Sequence, residues 1–150
     1  MAVILKGSDY LPAVVLSEST DQDTILDYGA GELAPYTSFL LAAGRKCVAF
    51  DPEFCVVGIH DLDAHTRAYD IVMANHVIHT LKRTELQCLF VELSSLCKRP
   101  AGRLYINCPI ARTALSSQYA PIEHIRLLLS RYFECVWTME RNILLCERPK

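Results

Sequence analysis

Between Thr24 and Asp51 the chain sets acids and glycines at fixed intervals: Asp27, Gly29, Gly31 and Asp51, with Ala34 three residues past the second glycine. G-x-G-x-x-[GA] after an apolar run is how a strand turns into a helix while its backbone passes close to a ligand. An acid about 20 residues further on can accept a ribose hydroxyl pair. The pattern therefore fits a nucleotide-bearing ligand, and Asp27, two residues before the first glycine, bears on which one. A pyrophosphate at that turn would face a carboxylate, and like charges ~5 Å apart at an effective dielectric of about 20 repel by about 3 kcal/mol. A cationic amine would be held instead. A second group of chemistry-bearing side chains is Asn75, His76 and His79, where histidine offers a base that titrates near neutrality.

These residues need elements to hold them. Short apolar runs at 23–28, 46–50, 69–74, 102–108, 133–139 and 142–148 read as strands. Between the first two, "APYTSFLLAAG" reads as a helix stopped by Gly44. Leu86, Leu89, Phe90, Leu93, Leu96 and Cys97 recur at the spacing of one buried helix face, and Thr84 with Gln87 suggests a capping box at its start. A last helix is expected from Pro121, carrying Ile122, Ile125, Leu128, Leu129 and Tyr132. Strand alternating with helix predicts an α/β doubly wound, mostly parallel sheet. The short "MERN" connection makes the last two strands a C-terminal antiparallel hairpin.

Composition bounds the rest. The 150 residues, 51% apolar and 21% charged, suit one globular domain over 1–150. The start, "MAVILKGSD", is too short in its apolar part for a signal peptide, and no apolar run reaches 18 residues. A cytoplasmic protein without a membrane partner is the expectation. Seven cysteines, none closer than eight positions to another, favour reduced thiols over a disulfide framework, and no metal-ligand spacing occurs among cysteines or histidines. Residues 1–75 hold 4 Lys/Arg against 11 Asp/Glu, a balance of −7, while residues 76–150 hold 11 against 6, a balance of +5. The acidic half suits a cationic ligand.

"ILDYGAGELAPYTSFLLAAGRKCVAFDPE" resembles motifs I and II of the class I S-adenosylmethionine (SAM)-dependent methyltransferases, and "YDIVMANHVIHTL" resembles the motif that follows them. "PAGRLYINCP" and the terminal hairpin continue the likeness over residues 23 to 150. The resemblance implies a Rossmann-like sheet of order 3-2-1-4-5-7-6 and methyl transfer from SAM, leaving S-adenosylhomocysteine. It places Asp27 and the Gly29, Ala30 and Gly31 backbone near the methionine end, Asp51 and Pro52 at the ribose, Asp61 or Leu62 at the adenine, and Asn75, His76 and His79 beside the sulfonium. His76 is the leading candidate for base or acceptor contact; His79 also aligns with a helix-start position, where capping or packing would explain it.

The chain departs from the family in two places. Leu33 stands where the third glycine is common, and only 18 residues separate Asp51 from Asp70, so the second crossover helix or the edge strand "CVVGIH" must be reduced. Asn75 is followed by His and Val, so the Asn/Asp-Pro-Pro-aromatic signature of many amino-group methyltransferases is missing. The only segments free to cover a site are residues 1–22 and 109–120, which points to a large acceptor or a second chain, whether another copy or a partner subunit, closing it. Arg112, Arg126, Arg131 and Arg141 suit an acidic acceptor, while no aromatic-interleaved basic stripe supports nucleic acid. The alternative function is a non-catalytic SAM-binding or scaffold subunit of the same fold.

Overall fold

The computed structural model describes residues 10–108 and 120–150. Six strands, β1 (Thr24–Tyr28), β2 (Lys46–Phe50), β3 (Ile71–Ala74), β4 (Arg103–Asn107), β5 (Phe133–Thr138) and β6 (Ile143–Pro149), form one sheet in the order β2-β1-β3-β4-β6-β5. β1 pairs in parallel with β2 and β3, and β3 with β4. β6 runs antiparallel to both β4 and β5. The expected mixed sheet and closing hairpin are present. Arg141 (φ 55°) and Asn142 (φ 58°) turn the hairpin with the paired left-handed residues that match strand twist.

Both faces of the sheet are covered, which explains strands that are apolar almost throughout. Leu26, Val72, Leu104 and Ile106 pack with α3 (Leu86–Ser95) and α4 (Ile122–Leu129). Ile25, Ile71, Met73 and Tyr105 pack on the other side with α1 (Tyr10–Glu18) and α2 (Pro35–Ala42). Helix α1 was not anticipated: its segment belongs to the residues read as a possible cover for the site. Leu11, Pro12 and Val15 are instead buried against the sheet, and Arg45 and Arg103 donate to the carbonyls of Leu16, Glu18 and Ser19 at its end.

Two local expectations change. The Thr84 capping box does not form, because Arg83–Glu85 is a 3-10 turn and α3 starts only at Leu86 with no side-chain cap. The chain between β2 and β3 keeps neither an α-helix nor an edge strand. It makes two isolated bridges, Ala49 to His60 and Tyr69 to Cys97, and one 3-10 turn, Ala64–Thr66. Eighteen residues cannot hold both elements and still return to the sheet. β2 is therefore left at the edge. Gly44 (φ +82°) ends α2 as expected, and no helix among the described residues is long and apolar enough to cross a membrane.

Candidate functional site

The carboxyl ends of β1, β2 and β3 surround a cavity of about 270 Å³ lined by Tyr28, Gly29, Asp51, Pro52, Glu53, His76, Val77, Leu81 and Leu89. Its floor is the glycine turn. Gly29 takes φ +73° and a Cβ there would stand 2.7 Å from Val77 Cγ2, so this position requires glycine for conformation and for space. Gly31 (φ +80°) faces open space and needs glycine for conformation alone. Leu33 is 73% exposed and takes no part in the wall, so its replacement of a glycine leaves the turn intact.

The turn's own donors are already engaged. Gly29 and Ala30 donate their N–H groups to the Phe50 carbonyl at 2.8 and 3.1 Å. Gly31 donates to Asp51 Oδ2 at 2.8 Å, and Glu53 donates its backbone N–H to Asp51 Oδ1 at 2.8 Å. Both oxygens of Asp51 retain a lone pair for a further donor. His60 closes the turn from outside: Nδ1 accepts from the Val56 N–H at 3.0 Å, so Nε2 carries the proton and donates to the Gly31 carbonyl at 2.7 Å. In the sequence His60 stands only as the last residue of "CVVGIH", with no role at the turn. Only the folding of the trimmed crossover against β2 brings it to the glycine turn.

Asp27 does not line the cavity. It is 1% exposed on the α2 side of β1 and accepts a hydrogen bond from Thr37 Oγ1 at 2.8 Å. Burial lifts its pKa to about 6, against the lowering influence of the Thr37 hydrogen bonds, and the charge of Asp51 adds to the rise. Asp61 and Leu62 are also placed elsewhere. They line a separate groove of about 550 Å³ along the open edge of β2, where Asp61 pairs with Arg67 and Leu62 is 61% exposed. Pro52 and Asp51 do meet Gly29 at the cavity.

His76 sits on the cavity rim in the left-handed conformation, φ +59°. Its N–H donates to Asn107 Oδ1 at 2.6 Å, and Asn107 Nδ2 donates to Asn75 Oδ1 at 2.5 Å. Asn75 is thus buried behind the cavity rather than in its wall. The His76 and His79 rings meet edge to face with centroids 4.6 Å apart. Burial lowers the His76 pKa. Burial first, and the neighbouring His76 second, push His79 down to about 4. His79 Nδ1 is buried without a hydrogen-bond partner among the described residues.

Asn107, Glu53, Tyr28, Val77 and Leu81 were not singled out from the sequence, and Leu89 was read only as part of a buried helix face. Glu53 was legible in "DPE", whereas Asn107 signals itself only as a polar residue ending an apolar strand. Arg112 and most of the 109–120 segment lie outside the described residues. All seven cysteines are free thiols, and no group of three or more metal-ligating side chains occurs among the described residues.

No protein-family model and no curated protein sequence matches the chain. Solved structures do. A TehB-like SAM-dependent methyltransferase from Corynebacterium glutamicum superposes with a TM-score of 0.66 at 13% identity, over 97% of this chain and 89% of the other. The 1,6-didemethyltoxoflavin-N1-methyltransferase of Burkholderia thailandensis, solved with its substrate and S-adenosylhomocysteine, gives 0.66 at 17% identity over 96% and 79%. Human N-acetylserotonin methyltransferase in complex with SAM gives 0.63 at 13% identity, over 93% of this chain but 52% of that one. With a mixed six-stranded sheet, a glycine turn after its first strand and these structural neighbours, the chain has the class I SAM-dependent methyltransferase fold, reduced at the β2 edge.

Proposed function

We propose that the chain binds SAM in the cavity at the ends of β1, β2 and β3 and transfers its methyl group to an acceptor that reaches His76. The observation that carries this reading is the polarity of the glycine turn. Gly29, Ala30 and Gly31 have their N–H groups engaged, while Asp51 and Glu53 line the wall and Asp27 lies beneath. A pyrophosphate, which needs donors, would meet acceptors; a ribose diol and an α-ammonium group, which are donors, would be satisfied.

Asp51 would accept the ribose hydroxyls, each charge-assisted hydrogen bond contributing about 1.5–3 kcal/mol. Pro52, Leu81 and Leu89 supply the apolar wall for a base. Asp27 contributes charge from below rather than contact. When bound, the cofactor would supply an electrophilic methyl group: the acceptor lone pair bonds to the methyl carbon in line as the carbon–sulfur bond breaks, and S-adenosylhomocysteine leaves with the electron pair. His76, whose charged form burial disfavours, can accept the proton an oxygen or nitrogen acceptor gives up. Residues 10–18 pack against the sheet and do not cover the site; in this proposal a large acceptor or a second chain closes it.

Calorimetry with SAM, S-adenosylhomocysteine and NADH is the direct test. The expectation is binding of the two sulfur compounds and none of NADH, with Asp51→Ala weakening SAM by about 10- to 100-fold. Binding of NADH without SAM would overturn the proposal. Label from methyl-labelled SAM entering small molecules, protein or nucleic acid of a fractionated extract would then identify the acceptor class.

A further inference from the structure

The carboxyl ends of β3 and β4 are tied by two buried amides, Asn75 and Asn107, at 8% and 7% exposure. Their orientation is not arbitrary. The His76 N–H can only donate, so Asn107 must turn its carbonyl oxygen to it, and the amide nitrogen of Asn107 is thereby aimed at the Asn75 oxygen. This chain of bonds ends on a residue with φ +59°, a conformation that strains a non-glycine residue and persists where the surroundings enforce it. No buried amide is needed to close this sheet, since the four pairs between β3 and β4 end at Ala74 and Ile106, one residue before each asparagine.

We infer that Asn107 is a positioning residue: with Asn75 behind it, its amide holds His76 left-handed, which keeps the imidazole on the cavity rim and against His79. In an ordinary right-handed or extended conformation the His76 side chain would leave the chain in a different direction, and the 4.6 Å ring contact with His79 would be lost. The other titratable groups on this cavity are Asp51, Glu53 and Tyr28, the last bonded through its hydroxyl to Glu92. The consequence for methyl transfer rests on the function proposed above, whereas the brace is a property of the fold.

The test compares wild type, Asn107→Leu, His76→Gly and the double variant, each labelled at histidine for NMR titration. In Asn107→Leu the His76 ring is expected to titrate closer to a free imidazole, the His79 titration to move with it, and the His76 amide proton to shift upfield. SAM affinity should fall about tenfold. Glycine adopts positive φ without strain, so relief of strain at residue 76 offsets part of the lost hydrogen bond only in the wild type, and Asn107→Leu should destabilise the His76→Gly protein more than the wild type. Unchanged histidine titrations, or equal destabilisation in both backgrounds, would overturn the brace. If Asn107→Leu does not fold, Asn107→Ser, too short to reach both partners, gives the same reading. A wild type that binds no SAM while Asn107→Leu still shifts His76 would defeat the proposed function alone; SAM binding with unaltered histidine titrations would defeat the brace alone.

Discussion

Asp27 is buried with its carboxyl on Thr37, and burial lifts its pKa from 3.8 to about 6. The folded state therefore holds a proton more tightly than the unfolded chain, so this group's contribution is fully present below about pH 4 and lost as pH rises through 6. The difference corresponds to about 3 kcal/mol of strain at neutral pH. Asp27→Asn should accordingly stabilise the protein by about 1–2 kcal/mol at pH 7.5 and by nothing at pH 4, read by urea unfolding at both values. The same variant should bind SAM more weakly, a loss of function accompanying a gain of stability. His79 works in the opposite sense. Its pKa is depressed to about 4, so stability falls as pH drops from 6.5 through 4, and in the wild type the two groups partly cancel over that interval. Asp27→Asn should expose the histidine slope. At the glycine turn, Gly31→Ala meets backbone strain only, about 1–2 kcal/mol, while Gly29→Ala adds the Val77 clash and should lose more stability and more ligand affinity.

Among the elements, β2 departs most from the fold's pattern. The Gly29 N–H bonds to the Phe50 carbonyl, and backbone groups alternate along a parallel strand, so Phe50, Val48 and Lys46 face β1 while Cys47 and Ala49 face outward. The Asp61 N–H on the Ala49 carbonyl agrees with that assignment. Proline lacks the N–H and is tolerated only where that group faces away from the ladder. Val48→Pro should abolish cooperative unfolding, whereas Cys47→Pro should leave a folded protein of reduced stability, both followed by circular dichroism during thermal unfolding. Equal damage would mean that β2 is paired on both sides.

At the scale of the molecule, the acidic N-terminal half contains the glycine turn, Asp51 and Glu53, and the cationic half carries α4 and the hairpin. Such a charge division favours a cationic ligand at the carboxyl ends of β1 and β2. Ligand binding to the folded state alone at 100 times its dissociation constant stabilises by about 2.7 kcal/mol. For a chain of this length that corresponds to a rise in Tm of about 5–10 °C. SAM and S-adenosylhomocysteine should each produce it and NADH should not. The measurement is a thermal shift at matched ionic strength, since screening weakens the electrostatic part.

The sequence by itself determined the order of the six strands and of the three helices after α1, the closing hairpin, the glycine turn and the acid at the end of β2, because these follow from local periodicity, from φ preferences and from short-range spacing. The length of the 51–70 connection was also enough to show that the outer part of the sheet had to be trimmed. Tertiary structure decided what spacing cannot express: that Asp27 turns to α2 and Thr37 instead of the cavity, that Asp61 and Leu62 line the outer groove, and that α1 covers the sheet. It also decided that His60 and Asn107 reach partners 29 and 31 residues away. A side chain's direction depends on which face of a packed strand it occupies and on which buried polar group must be satisfied, and both are settled only when the layers come together.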